Sequence, residues 1–226
     1  MMEEVKKQVY EILKADNSGH GYDHVERVYK LAIKFAKEEK ADEEVVSLIA
    51  LLHDVDDYKL FGKEQAEDLT NAKKIMNLVG VSKEKQENVL SSLKRIGYSK
   101  CVEGIRPFTI EGKIVSDADM CDAIGANGIL RTYKYGLKYG RPFFNKDANP
   151  NLNMDVKEYK EKVANCSVTH MFEKLLKLKG LMLTNSGKEE ACKRHQIIVD
   201  FLYELFEEEE ANEWKEYLDN YLINNI

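Results

Sequence analysis

Proline is nearly absent from this chain: Pro107, Pro142 and Pro150 are the only three in 226 residues. The long flanks on either side therefore lack the strongest helix breaker. The four cysteines, Cys101, Cys121, Cys166 and Cys192, form no CxxC pair. That argues against a zinc ribbon or a thioredoxin-like motif and points to free thiols in a reducing compartment. No run approaches the roughly 18 apolar residues of a membrane span, and MMEEVKKQVYEILKADNS at the N-terminus lacks a signal-peptide pattern. A cytoplasmic protein with no membrane partner is expected. Basic excess is missing too, with 34 Lys and Arg against 40 Asp and Glu and a net charge of −6. Long nucleic acid is thus a poor partner, whereas a small anion remains compatible, because a metal or a few local cations can reverse the potential inside one cleft.

What is present is an ordinary globular composition, 43% hydrophobic and 33% charged, in a chain long enough for a sizeable core. No strand alternation, internal repeat or low-complexity linker interrupts it, so an all-α, single-domain fold over residues 1–226 is expected. Helical periodicity runs over residues 3–14, from the early twenties to Phe35 and beyond, and from Asp42 to His53. It continues over 63–79 with Gly80 as a C-terminal stop, and over 82–96 with Ser82 as a cap. A helix over 114–139, a loop or lid over 140–153, helices at 155–183 and 187–210, and a short one after Asn212 complete the reading.

Three of five histidines, His20, His24 and His53, fall in the first quarter, two of them beside carboxylates in GHGYDH and LLHDVDDYK. His24 shares a helical face with Val28, Leu31 and Phe35 and so points inward. His53 and Asp54 arrive at the end of an apolar helix, where apolar residues would otherwise continue. Asp117, Asp119 and Asp122 interrupt Ile114, Val115, Ala118, Ala123 and Ile124, so at least one carboxylate must face the interior. A buried carboxylate needs a partner, and a cation is a natural one.

The pattern H…HD…D, with an arginine three residues after the first histidine, resembles the HD-domain phosphohydrolases. It is most similar to the small single-domain bacterial YpgQ/YedJ-like group, which includes nucleotide pyrophosphohydrolases. GHGYDHVERV, LLHDVDDYK and DADMCDAIGA carry the resemblance, joined by THMFEKLLKLKGLM and by Arg194-His195 near the C-terminus. Met120-Cys121 departs from the group's usual Arg-Leu, leaving the ligand positions intact.

The resemblance implies one divalent ion held by His24, His53, Asp54 and Asp119. Mn²⁺ is favoured, with Co²⁺, Ni²⁺, Fe²⁺ or Mg²⁺ as alternatives, since mixed imidazole and carboxylate ligation without thiolate does not select a closed zinc site. No histidine lies between positions 55 and 118, which argues for a single metal rather than a two-iron centre.

Asp57, three residues after Asp54 and read as lying on the same helical side, is the expected general base, and His20 a second catalytic group. Arg27 and Lys59 are expected near phosphate. Arg131, Lys134 and Arg141 are candidate contacts to a longer phosphate chain, although Arg131, Lys134 and Lys138 also read as a solvated stripe. Tyr135 and Tyr139 are expected to pack between helices, and His170 and His195 to sit in the core. The metal motifs fall within residues 20–122, and the helices of 155–226 are expected to complete the pocket. The expected activity is hydrolysis of a phosphoester or phosphoanhydride in a small phosphorylated metabolite, a nucleotide above all, with pyrophosphate release from a triphosphate as one branch. The alternatives are a nucleotide 5′-monophosphatase and a non-catalytic metal- or nucleotide-binding regulatory module. The C-terminal helices are long enough to offer a homodimer face.

Overall fold

The computed structural model describes residues 1–16, 21–152 and 165–224. Helices are the regular structure of these residues, and no strand occurs among them, as the missing alternation implied. The chain divides into two compact units, Met1–Asp122 with Leu183–Gly187, and Ala123–Met182 with Lys188–Ile226.

The first unit is built around α2 (Tyr22–Glu39), which packs against α3 (Glu43–Leu52) and α9 (Ile110–Asp122). Val25, Val28, Ala32, Phe35 and Ala36 form the buried stripe of α2, and His24 is buried with them. Helix α3 is apolar almost all round, with Val45 through Leu52 all buried, because α1 (Met2–Leu13), α2, α7 (Lys83–Leu93) and α9 cover it. Asp42 starts α3 by accepting from the Glu44 and Val45 N–H groups, and Ser82 caps α7 through Lys85 N–H.

Two expected helices are shorter in the structure than in the periodicity, each for a local reason. The stretch 63–79 divides at Leu69 (φ 53°) into α5 (Lys63–Asp68) and α6 (Thr70–Leu78). The left-handed break opens the α6 N-terminus, where Asp56 accepts from Asn71 and Ala72 N–H at 2.9 Å each. Between α3 and α5 lies one more turn, α4 (Tyr58–Phe61), and after α7 comes the short α8 (Tyr98–Val102). The stretch 114–139 divides at Gly125 (φ 76°), separating α9 from α10 (Gly125–Lys138).

In the second unit the described part of 155–183 is α11 (Ser167–Glu173) followed by a 3₁₀ helix (Leu175–Leu181), not one continuous α-helix, and residues 153–164 lie outside the described range. Helix α12 (Asn185–Glu208), whose first three residues belong to the first unit, and α13 (Asn212–Asn224) close the chain. Trp214 is buried against Phe144, Phe172 and Phe206, and its indole N–H donates to the Lys146 carbonyl. Phe143 meets Tyr133 and Phe201, so the Phe pair pins the loop before Ala148 to the helices. Tyr135 and Tyr139 do not pack between helices. Both are exposed, with rings 4.6 Å apart, and the Arg141 guanidinium lies 5.4 and 5.5 Å from their centroids.

Candidate metal centre

Four side chains from three helix ends converge in the first unit. His24 stands in the first turn of α2, His53 follows the last residue of α3 with Asp54 next to it, and Asp119 lies on the last turn of α9. The His24 and His53 Nε2 atoms are 3.2 Å apart. Asp54 Oδ2 lies 3.5 Å from each of them, and Asp119 Oδ1 lies 3.4 Å from His24 Nε2 and 4.0 Å from that of His53. Ligand atoms of His24, His53 and Asp119 all fall within 4.8 Å of one another, a spacing that fits one ion. An ion about 2.1 Å from each donor puts neighbouring donors roughly 3.0–3.4 Å apart, close to the separations found.

The hydrogen bonds on the far side of each ring decide what faces the cluster. His53 Nδ1 is 2.8 Å from the Ala50 carbonyl, which only accepts, so Nδ1 carries the proton. His24 Nδ1 is 2.7 Å from Asp122 Oδ2 and donates likewise. In the neutral rings both Nε2 atoms then present lone pairs to each other and to two carboxylate oxygens. Four converging acceptors repel one another, and a cation satisfies all of them together. Burial alone pushes the Asp119 carboxyl up; were the imidazoles protonated instead, the hydrogen bond and charge of His24 and the charge of His53 would hold it below the usual range.

The three aspartates of α9 divide three ways. Asp119 enters the cluster. Asp117 is fully buried and accepts from the Leu183 and Thr184 N–H groups and the Thr184 hydroxyl, with closest bonds of 2.7–2.9 Å, tying the Leu183–Gly187 segment to the unit. Gly187 is required there, since a Cβ would stand 2.3 Å from Asp117 Oδ2. Burial pushes Asp117 up against those bonds. Asp122 holds His24 and accepts from Arg27 Nε at 2.7 Å and Nη2 at 3.0 Å.

Arg27 is thus bound to Asp122 and, through Nη1, to Asp23 at 3.0 Å, and its hydrogen bond to Asp122 raises its pKa further. Sequence reasoning left the Asp122 role open. Its signal was Asp23, His24 and Arg27 within one helical turn, but the partner 95 residues away was invisible. Asp57 does not share a helix with Asp54. Residues 53–56 form a turn, and Asp57 precedes α4, its carbonyl accepting from Leu60 and Phe61. His20 and the side chain of Lys59 lie outside the described residues. Arg131, Lys134 and Arg141 fall in the second unit.

The HD domain family profile matches residues 21–124, which contain all four converging side chains. Over 204 residues the chain is 32% identical to the uncharacterized Bacillus subtilis protein YpgQ, covering 90% of this chain and 91% of that one. The chain belongs to the HD-domain family. Among solved structures, an HD-superfamily hydrolase of Bacillus thuringiensis is similar at 32% identity and a TM-score of 0.71, with 93% of this chain and 97% of that one covered. Bacillus subtilis YpgQ in complex with ADP is similar at 27% identity and a TM-score of 0.69, with 92% and 97% covered. As in the sequence, no helix among the described residues is long and apolar enough to cross a membrane.

Proposed function

We propose that this HD-family, metal-dependent phosphohydrolase cleaves a phosphoester or phosphoanhydride bond of a nucleotide, using one divalent ion held by His24, His53, Asp54 and Asp119. The observation that carries the reading is the convergence of two imidazole lone pairs, 3.2 Å apart, on two carboxylates. The donor set mixes imidazole and carboxylate without thiolate, which suits Mn²⁺ and its neighbours better than a closed zinc site. Such an ion polarises a phosphoryl oxygen and lowers the pKa of a bound water. In this reading Asp57 takes the proton of the attacking water, His20 protonates the departing oxygen, and Lys59 meets phosphate charge. A nucleotide is favoured as substrate because the related YpgQ binds ADP. Asp54 and Asp119 would offset the charge of a divalent ion, so an anionic phosphate would meet a nearly neutral centre.

The test is a panel of nucleoside mono-, di- and triphosphates with added Mn²⁺, read for phosphate and pyrophosphate, with His53→Ala and Asp54→Ala alongside. Release by the wild type that both variants lose is the expected outcome, and the product identifies the branch. A wild type loaded with ion that turns over no phosphate compound would overturn the reading in favour of a binding module.

A further inference from the structure

Asp122 is 1% exposed, and three N–H groups point at its two oxygens: Arg27 Nε at 2.7 Å on Oδ1, and Arg27 Nη2 at 3.0 Å with His24 Nδ1 at 2.7 Å on Oδ2. A buried carboxylate beside a cluster with two more carboxylates is costly by itself. The planar fork of Arg27 offsets that cost through two parallel bonds, a geometry that lysine cannot reproduce. Arg27 is anchored in turn by Asp23 across one turn of α2. Both Asp122 oxygens are thus fixed as acceptors in one orientation, with Oδ2 placed to accept from His24 Nδ1. Sequence alone placed Arg27 at the phosphate, whereas in the structure it serves the side of His24 that faces away from the cluster.

We propose that Asp122 and Arg27 are a positioning pair that holds His24 in the Nδ1–H tautomer and so presents its Nε2 lone pair to the ion. The inference rests on the metal-site reading above. His53 needs no such device, because a backbone carbonyl, that of Ala50, does the same for its ring. A carboxylate held by Arg27 differs from a carbonyl in one respect: it can be removed by substitution, which separates the two imidazoles experimentally.

Asp122→Asn keeps the shape but has one oxygen where three N–H groups converge, so at least one of them must face an amide donor. The experiment titrates ion-free wild type, Asp122→Asn, Arg27→Lys and Asp23→Ala with Mn²⁺, following free Mn²⁺ by electron paramagnetic resonance. Long-range ¹H–¹⁵N spectra of the ion-free proteins report the tautomers of His24 and His53. Mn²⁺ affinity should fall about 10–100-fold in Asp122→Asn and by less in Arg27→Lys. In Asp23→Ala, a surface pair, it should stay within about twofold. The His24 ring should lose its pure Nδ1–H signature in Asp122→Asn while His53 keeps its own, a pattern that general loosening of the fold would not produce. Should Asp122→Asn fail to fold, Arg27→Lys, whose side chain is 30% exposed, carries the same two readouts. Unchanged affinity and tautomer in folded variants of a wild type that binds Mn²⁺ would overturn the positioning role alone. A wild type that binds no divalent ion would overturn the metal reading and the pair with it.

Discussion

His24 in the first unit and His195 in the second are both buried histidines on α-helices, 1% and 6% exposed, yet their surroundings differ in kind. His24 has a carboxylate on Nδ1, and its Nε2 faces two more carboxylates and a second imidazole. His195 Nδ1 has no partner among the described residues, and the charge acting on the ring is that of Lys179. Burial, with Lys179 adding to it, pushes the His195 pKa down to about 4. Burial of an imidazole therefore does not make a site. What distinguishes the two regions is whether both nitrogens have assigned work, and in the first unit surrounding residues assign it.

The largest effect that sharpens this comparison separates neighbouring aspartates of α9. Asp119→Ala should weaken Mn²⁺ binding at least about a hundredfold, since losing a ligand costs no less than losing a partner of one. The stability of its ion-free form should stay near wild type. Asp117→Ala should do the reverse. Leu183 and Thr184 N–H would lose their acceptor, at a cost of about 3 kcal/mol. That corresponds to a fall of roughly 6–12 °C in Tm, with ion stoichiometry intact. Metal titration and thermal unfolding of both variants decide it, and equal loss of ion in the two would break the division of labour drawn here.

A smaller effect belongs to His195. Its folded pKa lies below the unfolded value of 6.5, so the unfolded chain binds more protons, and stability present above about pH 6.5 is lost as pH falls toward 4. The loss from this group alone is about 2 kcal/mol between pH 7 and pH 5. His195→Met should flatten that part of the stability profile, measured by urea unfolding across the range, and a wild-type slope retained in the variant would remove His195 as its source.

The smallest effect concerns the remaining carboxylate of the HDVDD segment. Asp56 caps α6 through Asn71 and Ala72, so Asp56→Ala should cost about 1–2 kcal/mol of stability. Ion affinity should not change. A loss of affinity would join Asp56 to the site.

Much of the first unit was legible before any coordinate. The apolar stripes of α2 and α3 follow from spacing, and His24 and His53-Asp54 stood out because they occupied positions where burial was already implied. The helix breaks at Leu69 and Gly125 were not legible, because each is a single residue at positive φ, a backbone feature that the spacing of apolar residues does not report. The position of Asp57 was misjudged for a related reason: the count from Asp54 assumed a helix that had ended at Leu52. The packing expected of Tyr135 and Tyr139 was misjudged, since both are exposed where α10 buries only Gly125, Gly128 and Gly136.

By itself the sequence determined an all-helical chain, because helical period is a local property, and its motifs carried the resemblance to the HD-domain family and to that family's ligand positions. The resemblance implied Asp119 as the ligand, but the sequence could not say what Asp117 and Asp122 do, nor that Arg27 meets a carboxylate. Those roles depend on which N–H groups arrive from residues 66 and 95 positions away, and only the tertiary structure brings them there.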